Sequence, residues 1–433
     1  MNEEINKILK KMEENGSSFE NPSLLASSMS DIVSKARTFD DVMNRVISDI
    51  EEATKLFLEG KNSSDNSYIS GLSTCIYLPT FDNSGDYKFT IIGGTADWKH
   101  QIPIDEYTKF DIASITKMFT LLLLFKLEEQ GIISLDEKVS NLNPDIQGLE
   151  DFTVNDLIRL HGELRTQGNV ATAQSVEEAF QILKTVYLTS NDRSRNLYTD
   201  FGSIVIGNTL EHILSKRLGY RMTFDSIMHK YLLDPLHLEN TEFNPTFNIT
   251  GNGGGDFVHD PKARALGGAV GSAGLFTTSE DLTILSRNIF SVNYVNTSFF
   301  RRKDIEKLGE ITFPLSSQSN KGNLGIYVKH PLGLQKSFTP NELATGSFSH
   351  QGWTGSVAVF DPKQSIHQSF LVNAIYPKDS GIELRNDKAI GFGSAFEEYQ
   401  RKITENTIIL YIAREYYKRY GNHLETDKTI ILK

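Results

Sequence analysis

The segment FDIASITKMFTLLLLFKLEEQG places Ser114 and Lys117 three residues apart, just where an apolar helix begins. On a helix that spacing puts both side chains on one face, so the amine can reach the hydroxyl. A serine at a helix start also lies beside exposed N–H groups and the positive end of the dipole, which favour a developing oxyanion. The pair can make a nucleophile, although Ser-x-x-Lys alone also fits an N-cap serine followed by a solvated lysine. A second segment, RNLYTDFGSIVIGNTLEHIL, sets Tyr198 and Asp200 ahead of another apolar helix. A tyrosine whose phenolate is stabilised by an ammonium can take the serine proton and return it to the leaving group. A third, FSHQGWTGSVAVFDP, carries His350, Gly352 and Gly355 into a strand. A small residue there lets backbone approach a substrate and an N–H complete an oxyanion hole.

These residues must be positioned by helices and strands in a definite order. Thr38 precedes a run in which Val42, Val46, Ile50, Ala53 and Phe57 recur at helical spacing until Gly60, which predicts a capped amphipathic helix. ISGLSTCIYLP and YKFTIIGG, separated by FDNSGD, predict an antiparallel hairpin. Helical patterns dominate from about residue 112 to about 310, strands return from about 322, and AFEEYQRKITENTIILYIAREYYKRYG closes the chain as a long helix. This order implies one sheet built from both ends of the chain, with a helical block inserted between. Residues 1–37 carry Ile5, Ile8, Leu9 and Met12 at helical spacing and then the breaker GSSFENPS, which predicts a helical extension covering part of the main domain.

Composition narrows the function. With 44 basic against 55 acidic residues, a net charge of −11 and no basic block, nucleic acid is not an expected partner. No stretch reaches the roughly 18 apolar residues of a membrane span, and the N-terminal residues lack the apolar core of a secretory signal. Cys75 is the single cysteine, which rules out an intrachain disulfide and, with the missing signal, gives a cytoplasmic expectation. His259-Asp260 has no companion of metal-ligand spacing and reads as structural. GNGGGDF, residues 251–257, lacks the lysine of a phosphate loop and reads as a loop near the site. No Gly-x-Ser-x-Gly elbow occurs. Trp353 suits stacking on a substrate ring and rim packing equally.

Taken in order, Ser114-x-x-Lys117, Tyr198-x-Asp200 and His350-x-Gly352 resemble the three motifs of class C β-lactamases, DD-peptidases and their esterase relatives. DFVHDPKARALGGAVGSAGLFTTSEDL and SVAVFDPKQSIHQSFLVNAIYP resemble further segments of that penicillin-binding-protein-like family, so the likeness runs from about residue 40 to about 400. The resemblance implies an α/β (α+β) fold of the β-lactamase/transpeptidase-like kind, an antiparallel sheet flanked by helices with an inserted all-helical subdomain. The sheet subdomain would comprise residues about 38–111 and 322–433, and the helical one about 112–321. It also implies that Ser114 forms an acyl-enzyme and that Lys117 and Tyr198 shuttle its proton. The backbone N–H groups of Ser114 and Trp353 would hold the oxyanion, and Asp200 and His350 would line the substrate site. No metal or organic cofactor is implied, and the partner is a small-molecule or peptide substrate.

Departures from the family pattern bear on that substrate. His350-Gln351-Gly352 stands where β-lactamases carry Lys-Thr-Gly, which removes a fixed positive charge and makes β-lactam turnover weak or absent. Asp200 stands where they have asparagine, adding a carboxylate that pairs with an amine or holds Lys117. The loop after His161, in LIRLHGEL, is shorter than the family's. The expected activity is a serine hydrolase acting on a small ester or on a peptide or amide with D- or modified residues. An acyltransferase or peptide cyclase needs only a different second nucleophile, and a non-catalytic ligand-binding or scaffold protein of the same fold is the opposing class.

Overall fold

The computed structural model describes residues 1–433 other than 37, 61–66, 83–84, 100, 160–162, 191–197, 251–257, 311–326, 329–338, 377–379, 381–382, 420–425 and 433. His161 and the Gly-rich segment 251–257 lie outside the described residues. The helix expected after Thr38 spans Phe39–Glu59, opened by a capping box in which Thr38 and Asp41 satisfy each other's backbone N–H groups. The expected hairpin is Gly71–Leu78 paired antiparallel with Tyr87–Gly94.

That hairpin belongs to a seven-stranded sheet in the order Thr426–Ile431, Tyr87–Gly94, Gly71–Leu78, Ile366–Asn373, Val357–Asp361, Phe348–Gln351, Tyr327–Val328. Both ends of the chain therefore build it. One feature corrects the sequence reading. The chain does not close in the helix Phe392–Lys418; a last strand, Thr426–Ile431, follows and runs parallel to Tyr87–Gly94. A parallel neighbour needs a long crossover, and that helix supplies part of it.

Strand alternation divides the core into two layers. From Gly71–Leu78, Leu72, Ile76 and Leu78 join the cluster of the Phe39–Glu59 and Phe392–Lys418 helices. On the same face Thr74 accepts from the Tyr399 hydroxyl at 3.0 Å. Ser73 and Cys75 point the other way, to Ser279 and Thr283 of the helix Ser279–Ser291, at 2.8 and 3.5 Å. Helices Asn2–Glu14 and Pro22–Lys35 bury Ile5, Ile8, Leu9, Met12, Met29 and Val33 in the first layer. Backbone bonds from Ser18 N–H to the Asn341 carbonyl (2.8 Å) and from Thr345 N–H to the Asn15 carbonyl (2.9 Å) tie this extension to the segment that leads into Phe348–Gln351.

The second layer contains the inserted helices. Thr116–Glu129 is apolar on every side because it runs through the core, and Phe201–Leu218 packs nearby. A small sheet, Phe110–Asp111 with Leu275–Thr277 and Glu242–Phe243, stands at the entrance to the Thr116–Glu129 helix. Among the described residues no helix is long and apolar enough to cross a membrane.

Candidate active site

Every residue from Thr108 to Phe125 is buried except Ser114. The serine lies in a tight 3₁₀ turn, Ala113–Ile115, immediately before the Thr116–Glu129 helix, rather than in the helix itself. In a 3₁₀ turn positions three apart nearly eclipse, so Lys117 still meets Ser114. Ala113 takes a positive φ of 42°, a strained conformation for a residue with a Cβ, of the sort that persists only where its surroundings enforce it. The enforcing group is Asp111. Its carboxylate accepts from Ala113 N–H and from His259 N–H, each at 2.8 Å, and its carbonyl accepts from the Thr354 hydroxyl at 2.6 Å. One residue thus fastens the serine turn, the His259-Asp260 segment and the turn after Phe348–Gln351. Burial pushes the Asp111 carboxyl up to about 6.

Around Ser114 the expected partners converge. Lys117 Nζ donates to Ser114 Oγ at 2.9 Å, to Asp200 Oδ1 at 2.8 Å and to the Ser272 carbonyl at 3.1 Å. The Tyr198 hydroxyl also reaches Ser114 Oγ at 2.9 Å, with the Lys117 ammonium 4.9 Å from the centre of its ring. Burial alone would lower the Lys117 amine, but Asp200 and Tyr198 outweigh it and hold the ammonium charged well above its ordinary range. For Asp200 burial would raise the carboxyl; Lys117 and Lys262 overcome that and keep it ionised far below the usual range.

Lys262 was not singled out in the sequence. It sits in the short helix Pro261–Ala265, started by Asp260 as N-cap, and its Nζ meets Asp200 Oδ2 at 2.9 Å. The carboxylate expected to hold Lys117 therefore holds two ammonium groups. The Ser272 carbonyl was missed as well. Its turn can come so close because Gly271 has no side chain: a Cβ there would stand 2.1 Å from the Ser203 carbonyl of the Phe201–Leu218 helix.

The third motif lies alongside. Gly352 presses on the serine turn, so that a Cβ would lie 2.5 Å from the Ile112 carbonyl, which explains the glycine. Neither the Ser114 nor the Trp353 N–H is donated to an acceptor among the described residues. The Trp353 side chain is half exposed. His350 is placed differently from its expected position along the substrate wall. It is 1% exposed, with Nδ1 2.8 Å from the Gln351 carbonyl, which makes Nδ1 the protonated nitrogen and sets the side chain within the wall. His259 contributes its backbone to Asp111, and burial pushes its imidazole down to about 4.

Gly352→Ala is expected to push the Trp353 N–H away from Ser114. A displacement of that kind costs on the order of 10²-fold in kcat/KM, and the overpacked contact costs about 1–3 kcal/mol. Ester kinetics together with thermal denaturation check both, and unchanged values would show that this approach is not needed.

The fold and the site define a protein of the β-lactamase/transpeptidase-like fold, with a Ser-Lys-Tyr cluster where the inserted helices meet the turn after Phe348–Gln351. The chain belongs to the Beta-lactamase family, whose model matches residues 77–391. It is 26% identical over 310 residues to an N-acetylmuramyl-L-alanine amidase of Bacillus subtilis (strain 168), covering 61% of this chain and 68% of that protein. It is also 26% identical over 308 residues to a putative D-alanyl-D-alanine carboxypeptidase of Salmonella agona (strain SL483), with the same 61% and 68% coverage. In fold it resembles EstCE1, a hydrolase with promiscuous acyltransferase activity, with a TM-score of 0.59 and 16% identity over 86% of this chain and 99% of that one. These relatives are hydrolases, which supports a serine hydrolase here.

Proposed function

We propose that the protein is a serine hydrolase that works through an acyl-enzyme on Ser114, acting on a small ester or on a peptide or amide. The observation that carries the reading is the Ser114 hydroxyl, on the one partly exposed residue in a buried stretch, contacted by Lys117 and Tyr198 at 2.9 Å each. Lys117 engages all of its ammonium protons with acceptors, so it serves as a fixed cation and Tyr198 carries the proton. With Tyr198 as phenolate, Ser114 Oγ attacks the carbonyl carbon and its proton passes to the Tyr198 oxygen. The Ser114 and Trp353 N–H groups receive the oxyanion. Collapse returns the proton to the leaving group, and water repeats the sequence to release the acid.

Asp200 holds Lys117 in place and charged, and Lys262 helps keep Asp200 ionised. An amine replacing water in the second half would give acyl transfer from the same intermediate. With the buried His350 in place of a fixed cation, β-lactams are expected to be poor substrates. The single, buried Cys75 fits a reducing, cytoplasmic setting.

The test is turnover of short-chain nitrophenyl esters, D-amino acid amides and a chromogenic β-lactam by the wild type and Ser114→Ala. Ester or amide turnover that vanishes in the variant is the expected result; an inert wild type, or an equally active variant, contradicts the reading.

A further inference from the structure

Asp200 stands at the start of the Phe201–Leu218 helix, where an aspartate ordinarily turns its carboxylate onto the N–H groups of the first turn. It makes no such cap. Its two oxygens accept instead from lysines of two distant segments, Oδ1 from Lys117 at 2.8 Å and Oδ2 from Lys262 at 2.9 Å. Lys262 is brought there by the helix Pro261–Ala265, which Asp260 opens by accepting from the Ala263 N–H at 2.8 Å. The side chains of Lys117, Asp200 and Lys262 are 6%, 19% and 27% exposed, so salt and water screen these charges little.

Burial alone would lower the Lys262 amine, and Lys117 pushes the same way. Asp200, with help from Asp260, outweighs both and holds the ammonium charged above its ordinary range. The three side chains Lys117, Asp200 and Lys262 therefore carry one net positive charge. Without Lys262 they would carry none. A carboxylate one hydrogen bond from the Lys117 ammonium opposes its attraction for negative charge on Ser114 or Tyr198, and it draws the ammonium toward itself. With Lys262 on its second oxygen, that carboxylate is balanced from both sides.

We propose that Lys262 is a positioning residue of the Ser114 cluster: it neutralises Asp200, so that the charge of Lys117 is left for Ser114 and Tyr198. The proposal rests on the serine hydrolase reading above. Asp200 and Lys262 form one unit, equivalent in charge to a neutral amide at position 200. Lys262 acts through Asp200 and takes no proton from Ser114, so its loss shows in kcat more than in KM. A distinctive consequence follows from the charges. Once Lys262 is gone, Asp200 works against the reaction, and removing the carboxylate as well restores it.

The experiment uses the full chain, with Lys262→Gln, Lys262→Arg and the double variant Asp200→Asn/Lys262→Gln. It reads the rate of fluorophosphonate labelling of Ser114 and the turnover of a short-chain nitrophenyl ester. Lys262→Gln keeps a donor for Asp200 and loses the charge; it is expected to lower kcat and the labelling rate about 10- to 100-fold, with KM within about threefold. Lys262→Arg keeps the charge and pairs with a carboxylate, so it should stay within about threefold of wild type. The double variant should recover most of what Lys262→Gln loses.

A Lys262→Gln protein within about threefold of wild type, a Lys262→Arg protein as slow as Lys262→Gln, a double variant no faster than Lys262→Gln, or a loss confined to KM would overturn the assignment. Thermal denaturation shows which variants are folded at the assay temperature. If Lys262→Gln is not, the double variant decides: activity within about tenfold of wild type supports the unit, and a larger loss overturns it. A wild-type chain that labels sets these outcomes against Lys262 alone; one that neither labels nor turns over ester sinks the hydrolase reading with it.

Discussion

Lys117→Met is expected to lower kcat/KM for ester turnover by about 10³- to 10⁵-fold while leaving a folded protein. Among the described residues the Lys117 ammonium is the one positive charge that touches Ser114, and it lies over the Tyr198 ring as well. Negative charge that develops on either oxygen during proton transfer is stabilised by it, in a site where burial strengthens that attraction. Methionine keeps the length of the side chain and loses the charge. The stability cost is moderate because Asp200 keeps Lys262 at 2.9 Å; it should be about 1–3 kcal/mol, below that of a fully orphaned buried carboxylate. Lys117→Arg should not rescue, since a planar guanidinium cannot point protons at Ser114, Asp200 and the Ser272 carbonyl from one atom. Steady-state kinetics and thermal denaturation, measured together, check this. Activity within about tenfold of wild type in a folded Lys117→Met protein would remove Lys117 from the chemistry.

Tyr198→Phe is expected to cost about 10²- to 10⁴-fold in kcat/KM, the usual contribution of a positioned acid–base group. The ring, 47% exposed, stays over Lys117 in the variant, so stability should change by less than about 1 kcal/mol. Loss of rate without loss of stability is what separates a proton carrier from a packing tyrosine. Because Lys117 and Tyr198 act on the same proton, the double variant should be little slower than the slower single one. Additive losses in the double variant would indicate independent roles.

Much of the fold and site is legible in local sequence. Thr38 and Asp41 mark a helix start by side-chain chemistry that needs no tertiary context. Ser114 with Lys117, and Tyr198 with Asp200, are local pairs; the structure joins the two pairs across 83 residues of sequence through the bond from Lys117 to Asp200. Other parts were illegible for a physical reason. Asp111, Lys262 and the Ser272 carbonyl act through contacts made only when distant segments meet, and nothing in their own neighbourhoods announces it. His350 has the residue type of a substrate contact, yet the strand that carries it turns it into the wall. The strand Thr426–Ile431 went unread because a short apolar run after a long helix does not show which strand it will join.

Whether Ser114 is an activated nucleophile is read by intact-mass analysis after treatment with a fluorophosphonate. A single adduct is expected on the wild-type chain, absent from Ser114→Ala and formed far more slowly in Lys117→Met. A wild-type chain that stays unlabelled, or an adduct that persists in Ser114→Ala, would contradict an activated Ser114.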